Sequence, residues 1–132
     1  DNTQINSMKE SIKSLTDKRI IVQATMCGKE INLLVDTGAS VGLISENVKG
    51  IKYGRRYNGT VVGAGGEVDV FYCNTSAVLN GKIIPQFLIA NIDGVIDSIE
   101  KETGVTIDGI LSLYQMKMYG VEIYTGDNFI KI

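Results

Sequence analysis

The 132-residue sequence predicts a mainly β domain with a few short helices. Three observations carry that prediction. Short apolar runs are separated by glycine turns, such as Met26-Cys27-Gly28-Lys29 and Leu79-Asn80-Gly81-Lys82. The chain holds 15 glycines, one proline (Pro85) and 44% apolar residues, a balance that suits a folded, turn-rich domain and argues against disorder. A weak repeat places Ala24-x-x-x-Gly28-Lys29-x-Ile31 and Ala77-x-x-x-Gly81-Lys82-x-Ile84 at an offset of 53 residues. Both copies read as hairpins feeding an apolar strand, as expected of a domain built from two similar β-halves. The length suffices for one domain to bury its own core.

The elements follow in order. Residues 7–15 carry Met8, Ile12 and Leu15 at helical spacing, which predicts a short amphipathic helix within an N-terminal segment of residues 1–18. The main domain is expected over residues 19–132. Arg19 to Met26 and Lys29 to Val35 read as strands joined at Cys27-Gly28. Thr60 to Val62 and Val68 to Cys73 flank a glycine cluster as a further hairpin. Ser76 to Leu79 and Lys82 to Ala90 form another around Asn80-Gly81. Residues 92–102 read as a helix with Ile92, Val95, Ile96 and Ile99 on one face, stopped by Gly104. Leu113 to Tyr119 reads as a second short helix closed by Gly120, and Phe129 to Ile132 as a final strand.

Composition excludes several functions. Net charge is −2 and Arg55-Arg56 stands alone, so no nucleic-acid partner is expected. No apolar stretch approaches the length of a membrane span, so no membrane partner is expected either. The chain starts at Asp1 without an initiator Met, which predicts a trimmed or processed fragment. Cys27 and Cys73 provide no disulfide framework and read as partly buried, unpaired thiols, with a bridge between them as the alternative. The compartment stays open between a bacterial periplasm or cell envelope and the cytoplasm. Asn58-Gly59-Thr60 and Asn74-Thr75-Ser76 fit the N-glycosylation pattern, but such triplets arise often by chance.

The chain has no histidine. That absence rules out a Ser-His or Cys-His dyad and any zinc site built on imidazole. One aspartate stands out. Asp36-Thr37-Gly38-Ala39-Ser40 follows the apolar run Ile31-Asn32-Leu33-Leu34-Val35, and Val41-Gly42-Leu43-Ile44 returns the chain to the core at once. Asp36 is thus placed where a core strand meets a tight turn, with Gly38 supplying backbone freedom. The competing reading is an Asx-turn aspartate that merely ends a strand. The two apolar flanks and Thr37 favour the buried acid.

Leu34-Val35-Asp36-Thr37-Gly38-Ala39-Ser40 resembles the active-site signature of aspartic proteases, specifically the single-domain retropepsin-like family. Ile107-Asp108-Gly109-Ile110-Leu111-Ser112-Leu113-Tyr114-Gln115-Met116 resembles the apolar strand, turn and helix near the end of such domains. Val62-Gly63-Ala64-Gly65-Gly66-Glu67-Val68 resembles the glycine-tipped flap between them. The matches come in family order over about residues 19–132. Bacterial members look closer than retroviral ones: the retroviral Gly-Arg-Asn or Gly-Arg-Asp is missing, and Ser112 stands where a glycine is usual.

The resemblance implies a retropepsin-like acid-protease β-barrel with one active-site half per chain. It implies Asp36, Thr37 and Gly38 as the catalytic turn, with Thr37 hydrogen-bonding across a dimer axis. Ala39, Ser40, Gly63, Ala64, Gly65 and Gly66 would bind substrate. Aspartate-driven peptide hydrolysis needs two carboxylates around one water, one acting as base and the other, protonated, polarising the carbonyl. One suitable aspartate per chain then requires a homodimer acting on a peptide or protein substrate, with no metal and no cofactor. Asp108 lacks the Thr or Ser before its glycine and is a poor second acid. Gly63 to Gly66 lacks the Gly-Lys-Ser/Thr of a phosphate loop. A retropepsin-like domain used only for dimerisation or peptide binding is the alternative function.

Overall fold

The computed structural model describes residues 9–59 and 69–132, and among them it is mainly β. Twelve strands are present among the described residues. They are β1 (Ser11–Lys13), β2 (Ile21–Met26), β3 (Lys29–Asp36), β4 (Gly42–Ser45), β5 (Tyr53–Arg56), β6 (Phe71–Cys73), β7 (Ala77–Leu79), β8 (Lys82–Ile84), β9 (Phe87–Ala90), β10 (Gly109–Ser112), β11 (Glu122–Tyr124) and β12 (Phe129–Lys131). Among the described residues two helices join them, α1 (Asp93–Thr103) and α2 (Leu113–Tyr119). Nine strands form one sheet in the order β5-β6-β9-β4-β10-β3-β2-β7-β8, and β1-β12-β11 form a second.

Strand β3 is the spine. It pairs antiparallel with β2 on one edge and parallel with β10 on the other, with Ser112 opposite Asp36. Its side chains alternate between two apolar clusters. Leu33, with Val22, Ile44 and Leu111, packs into one. Leu34, with Ile21, Leu43 and Ile110, packs into the other. Burial on both faces is what an unbroken apolar run predicts. Gly109 lets β10 reach β4 closely: a Cβ there would lie 2.6 Å from the Leu43 carbonyl oxygen.

Two of the three predicted hairpins form, and the third, Thr60 to Val62 with Val68 to Cys73, has its turn outside the described residues. Cys27 and Gly28 turn at φ 55° and 72°, and Asn80 and Gly81 at φ 51° and 73°. Two successive left-handed residues match the twist of a two-residue hairpin. The two copies of the repeat lie side by side, because β2 pairs with β7 through Thr25 and Val78. Both helices end at left-handed glycines, Gly104 (φ 77°) and Gly120 (φ 70°), as the sequence suggests.

Several expectations are corrected. Residues 11–13 are a strand, not part of a helix: β1 pairs with β12, Ile12 opposite Ile130, and Glu10 and Ile132 exchange hydrogen bonds of 3.1 Å. Ile12 packs on the core while Leu15 is exposed, so the two do not share a buried helical face. The expected strand Lys82 to Ala90 is cut in two at Pro85 and Gln86. Proline has no N–H to donate, and Gln86 sits at φ 71°. Strands β5 and β11 carry no strong pattern of their own and were not expected. Cys27 and Cys73 are free and half-buried. Burial pushes the Cys73 thiol up, and its Sγ donates to the Thr75 carbonyl at 3.3 Å.

Candidate active site

Asp36 ends β3, half-buried, and the chain turns through exposed Thr37 and Gly38 before Val41 and β4 re-enter the core. Three hydrogen bonds define the turn. The Gly38 N–H donates to Asp36 Oδ1 at 2.9 Å. The Ala39 N–H donates to the Asp36 carbonyl at 3.1 Å, and the Leu113 N–H donates to the Ala39 carbonyl at 3.0 Å. The first bond is also that of an Asx turn, so both readings of Asp36 predict it. What exceeds a surface Asx turn is the setting: a central strand behind the aspartate, and α2 tied to the far side of the turn.

Gly38 plays a different part from the one expected. Its φ is not in the left-handed region. The need for glycine is one of room: a Cβ would lie 3.2 Å from Asp36 Oδ1, against the atom that its own N–H approaches.

Asp36, Thr37, Gly38, Ala39 and Ser40 are brought together on this turn. Gly63, Ala64, Gly65 and Gly66 lie outside the described residues. Asp108 is placed far from Asp36. Its Oδ2 accepts from the Asn32 N–H at 2.8 Å, while its backbone bonds Asn32 and Ser45. Asn32 precedes Asp36 by four strand residues, about 13 Å along β3. Asp108 thus braces the entry of the spine strand.

Beside the turn is a cavity of about 350 Å³ lined by Ser40, Val41, Gly42, Tyr57, Tyr72, Gln86, Phe87, Leu88, Ser112 and Tyr114. Its walls are mostly apolar or aromatic, and no charged side chain lines it among the described residues. The rings of Tyr57 and Tyr72 meet edge to face at 5.5 Å. A shallower depression of about 340 Å³ lies over Thr37, Gly38, Ala39, Ser40, Leu113, Tyr114 and Lys117. Leu113 and Tyr114 on α2 are 37% and 50% exposed and line this depression beside the Asp36 turn. Among the described residues, no group of three or more His, Cys, Asp or Glu side chains is placed to hold a metal ion.

Two contributors escaped the sequence reading. Gln115 is buried behind the turn and bonds Ser112, Pro85 and Gln86. A Ser-x-x-Gln pattern ahead of a helix is a capping signature and was the available signal. Arg19 chelates Glu102 through Nε at 2.6 Å and Nη2 at 2.9 Å. Its guanidinium is pushed up chiefly by that bond, with the Asp36 carboxylate adding a smaller attraction.

The family model described as aspartyl protease matches residues 22–113, more than half of the chain. The chain belongs to the aspartyl protease family, and its fold is that of the retropepsin-like members. Three solved structures show the likeness. The retroviral protease-like domain of Ddi1 from Leishmania major is 21% identical, with a TM-score of 0.57, covering 86% of this chain and 87% of its own. A retropepsin-like aspartic protease from Rickettsia conorii is 19% identical, with a TM-score of 0.55, covering 93% and 88%. The EIAV protease, solved with an inhibitor, is 21% identical, with a TM-score of 0.54, covering 86% and 99%. No curated protein matches the chain.

Proposed function

We propose that the chain is a homodimeric aspartic endopeptidase in which Asp36 from each of two subunits activates one water for attack on a peptide carbonyl. The observation that carries the reading is the Asp36 turn: a half-buried aspartate on the central strand, held by the Gly38 N–H and opening beside an apolar cavity. Two such carboxylates a few ångströms apart share a proton, so one acts as base while the other polarises the carbonyl. Thr37 would brace the paired turns across the two-fold axis. The exposed apolar side chains of Leu113 and Tyr114 next to the turn suit coverage by a second copy.

An extended peptide would lie along the turn with an apolar side chain in the cavity, Ala39 and Ser40 contacting its backbone. Gly63, Ala64, Gly65 and Gly66 are proposed as the flap on their sequence alone. The alternative, a non-catalytic dimerisation or peptide-binding domain, shares everything except a need for Asp36. The test is cleavage of a peptide library between about pH 4 and 7, where coupled carboxyls titrate. Wild type is compared with Asp36→Asn. Hydrolysis by wild type, lost in a folded Asp36→Asn dimer, supports the enzyme; equal activity in both sinks it. Activity per chain should also fall on dilution through the dimer's dissociation range, and a demonstrated monomer of constant activity would exclude the shared site.

A further inference from the structure

We propose that Gln115 is a positioning residue for the Asp36 turn: its buried carboxamide ties that turn to the break between β8 and β9 and fixes the wall of the adjoining cavity. The inference rests on the reading of Asp36 as the catalytic acid.

Gln115 is 1% exposed, and both ends of its amide are engaged. Oε1 accepts from the Ser112 N–H at 2.9 Å and from the Ser112 hydroxyl at 3.0 Å. Nε2 donates to the Pro85 carbonyl at 2.9 Å, with a longer contact of 3.4 Å to the Gln86 carbonyl. A capping glutamine needs only the first pair of bonds, and its other end can stay in water. Here that end crosses to a segment 30 residues away in sequence and satisfies a carbonyl freed where the strand is broken. The site is shaped for it: a Cβ on Gly42 would fall 2.7 Å from the carboxamide carbon, so only glycine leaves the room. Three backbones therefore converge on one side chain: the β10–α2 junction, the β8–β9 break and β4.

The consequence for Asp36 runs through Ser112. Ser112 is the register partner of Asp36 across β3 and β10. The next residue, Leu113, donates to the Ala39 carbonyl and closes the far end of the turn. Ser112, Gly42 and Gln86 also line the cavity. A buried carboxamide stabilises no better than a well-packed apolar side chain unless every bond is made, and then it specifies one arrangement. Gln115 makes them all, across the segments that must stay fixed for Asp36 and the cavity to keep their spacing.

The test compares wild type with Gln115→Leu, Gln115→Glu and Ser112→Ala as full chains, by residue-resolved amide exchange and by peptide hydrolysis. In Gln115→Leu, exchange at Leu113 and Ala39 should speed by about tenfold or more, while Val22 and Leu33 in the first hairpin keep wild-type rates. The same variant should lose about tenfold in kcat. Gln115→Glu adds a readout that packing alone would not move. A protonated carboxyl still donates to Pro85, whereas an ionised one repels that carbonyl. Its activity relative to wild type should therefore decline as pH rises through the carboxyl's titration. Unchanged exchange at Leu113 and Ala39, or a rise spread evenly over all strands, overturns the inference. If Gln115→Leu does not fold, Ser112→Ala and the pH series on Gln115→Glu decide in the same way. If wild type cleaves no peptide, the catalytic reading of Asp36 has failed separately, and the exchange comparison alone judges the tether.

Discussion

Residues 24–31 and 77–84 build the same hairpin, turned by left-handed pairs at Cys27-Gly28 and Asn80-Gly81, and the two lie against each other through β2 and β7. Beyond the turn they diverge. The first hairpin's return strand, β3, runs eight residues without a break between two neighbours and delivers Asp36. The second copy is cut at Pro85 and Gln86, resumes as β9, ends at Ala90, and gives way to α1. At the repeat offset, Leu33 corresponds to Gln86: one fully buried, the other exposed in a left-handed conformation. An unbroken, doubly covered strand holds an acid at a defined place. The broken copy supplies instead the free carbonyls that Gln115 ties down and a wall of the cavity.

On the proposed mechanism, a working site needs the half that carries Asp36 twice. Mixing wild type with Asp36→Asn at equal amounts, with subunits free to exchange, should leave about a quarter of the dimers with two Asp36 residues. Activity should fall accordingly, as the square of the wild-type fraction, measured by initial rates across a mixing series. A linear dependence would mean that one Asp36 is enough, and the contrast between the halves would lose its catalytic meaning.

The same substitution at the two corresponding positions should act with opposite sign. Leu33→Gly empties a fully buried site in the spine strand and should cost about 3–5 kcal/mol. Gln86→Gly relieves an L-residue held at φ 71° and should raise stability by up to about 1 kcal/mol, the strain relief exceeding the added freedom of the unfolded chain. Urea unfolding of both variants checks this. Equal destabilisation would show that the break at Pro85 and Gln86 is no different in kind from the spine.

What was legible in the sequence were features set by local chemistry. Hairpins were announced by Gly28 and Asn80-Gly81, helix ends by Gly104 and Gly120, and the spine by five mostly apolar residues before Asp36. What was not legible depends on partners distant in the chain. Ser11–Lys13 is a strand because Phe129–Lys131 lies beside it, more than a hundred residues away, and that pairing overrides a helical spacing of only three apolar residues. Gln115 looks like a capping residue from sequence, and its reach to Pro85 follows only from the fold. The apolar cavity draws Leu88 from β9, Tyr114 from α2, and Val41 and Tyr57 from the residues flanking β4 and β5, a set no local pattern joins.

The smallest expected effect concerns the one bidentate ion pair among the described residues that spans the two halves. Arg19, just before β2, holds Glu102 near the end of α1. The guanidinium bond keeps the Glu102 carboxyl below the usual carboxylate range. A carboxyl lowered in the folded state stabilises above its unfolded pKa, and that contribution is lost as pH falls through the lowered folded value. The pair is solvent-exposed, so screening leaves it little weight. Glu102→Gln should therefore shift thermal stability less than any substitution above, at neutral pH and above, with wild type and variant converging in acid and at high salt. A difference that persists at acid pH would mean that Glu102 holds the halves together by packing rather than charge, and the ion pair would no longer count as a link between them.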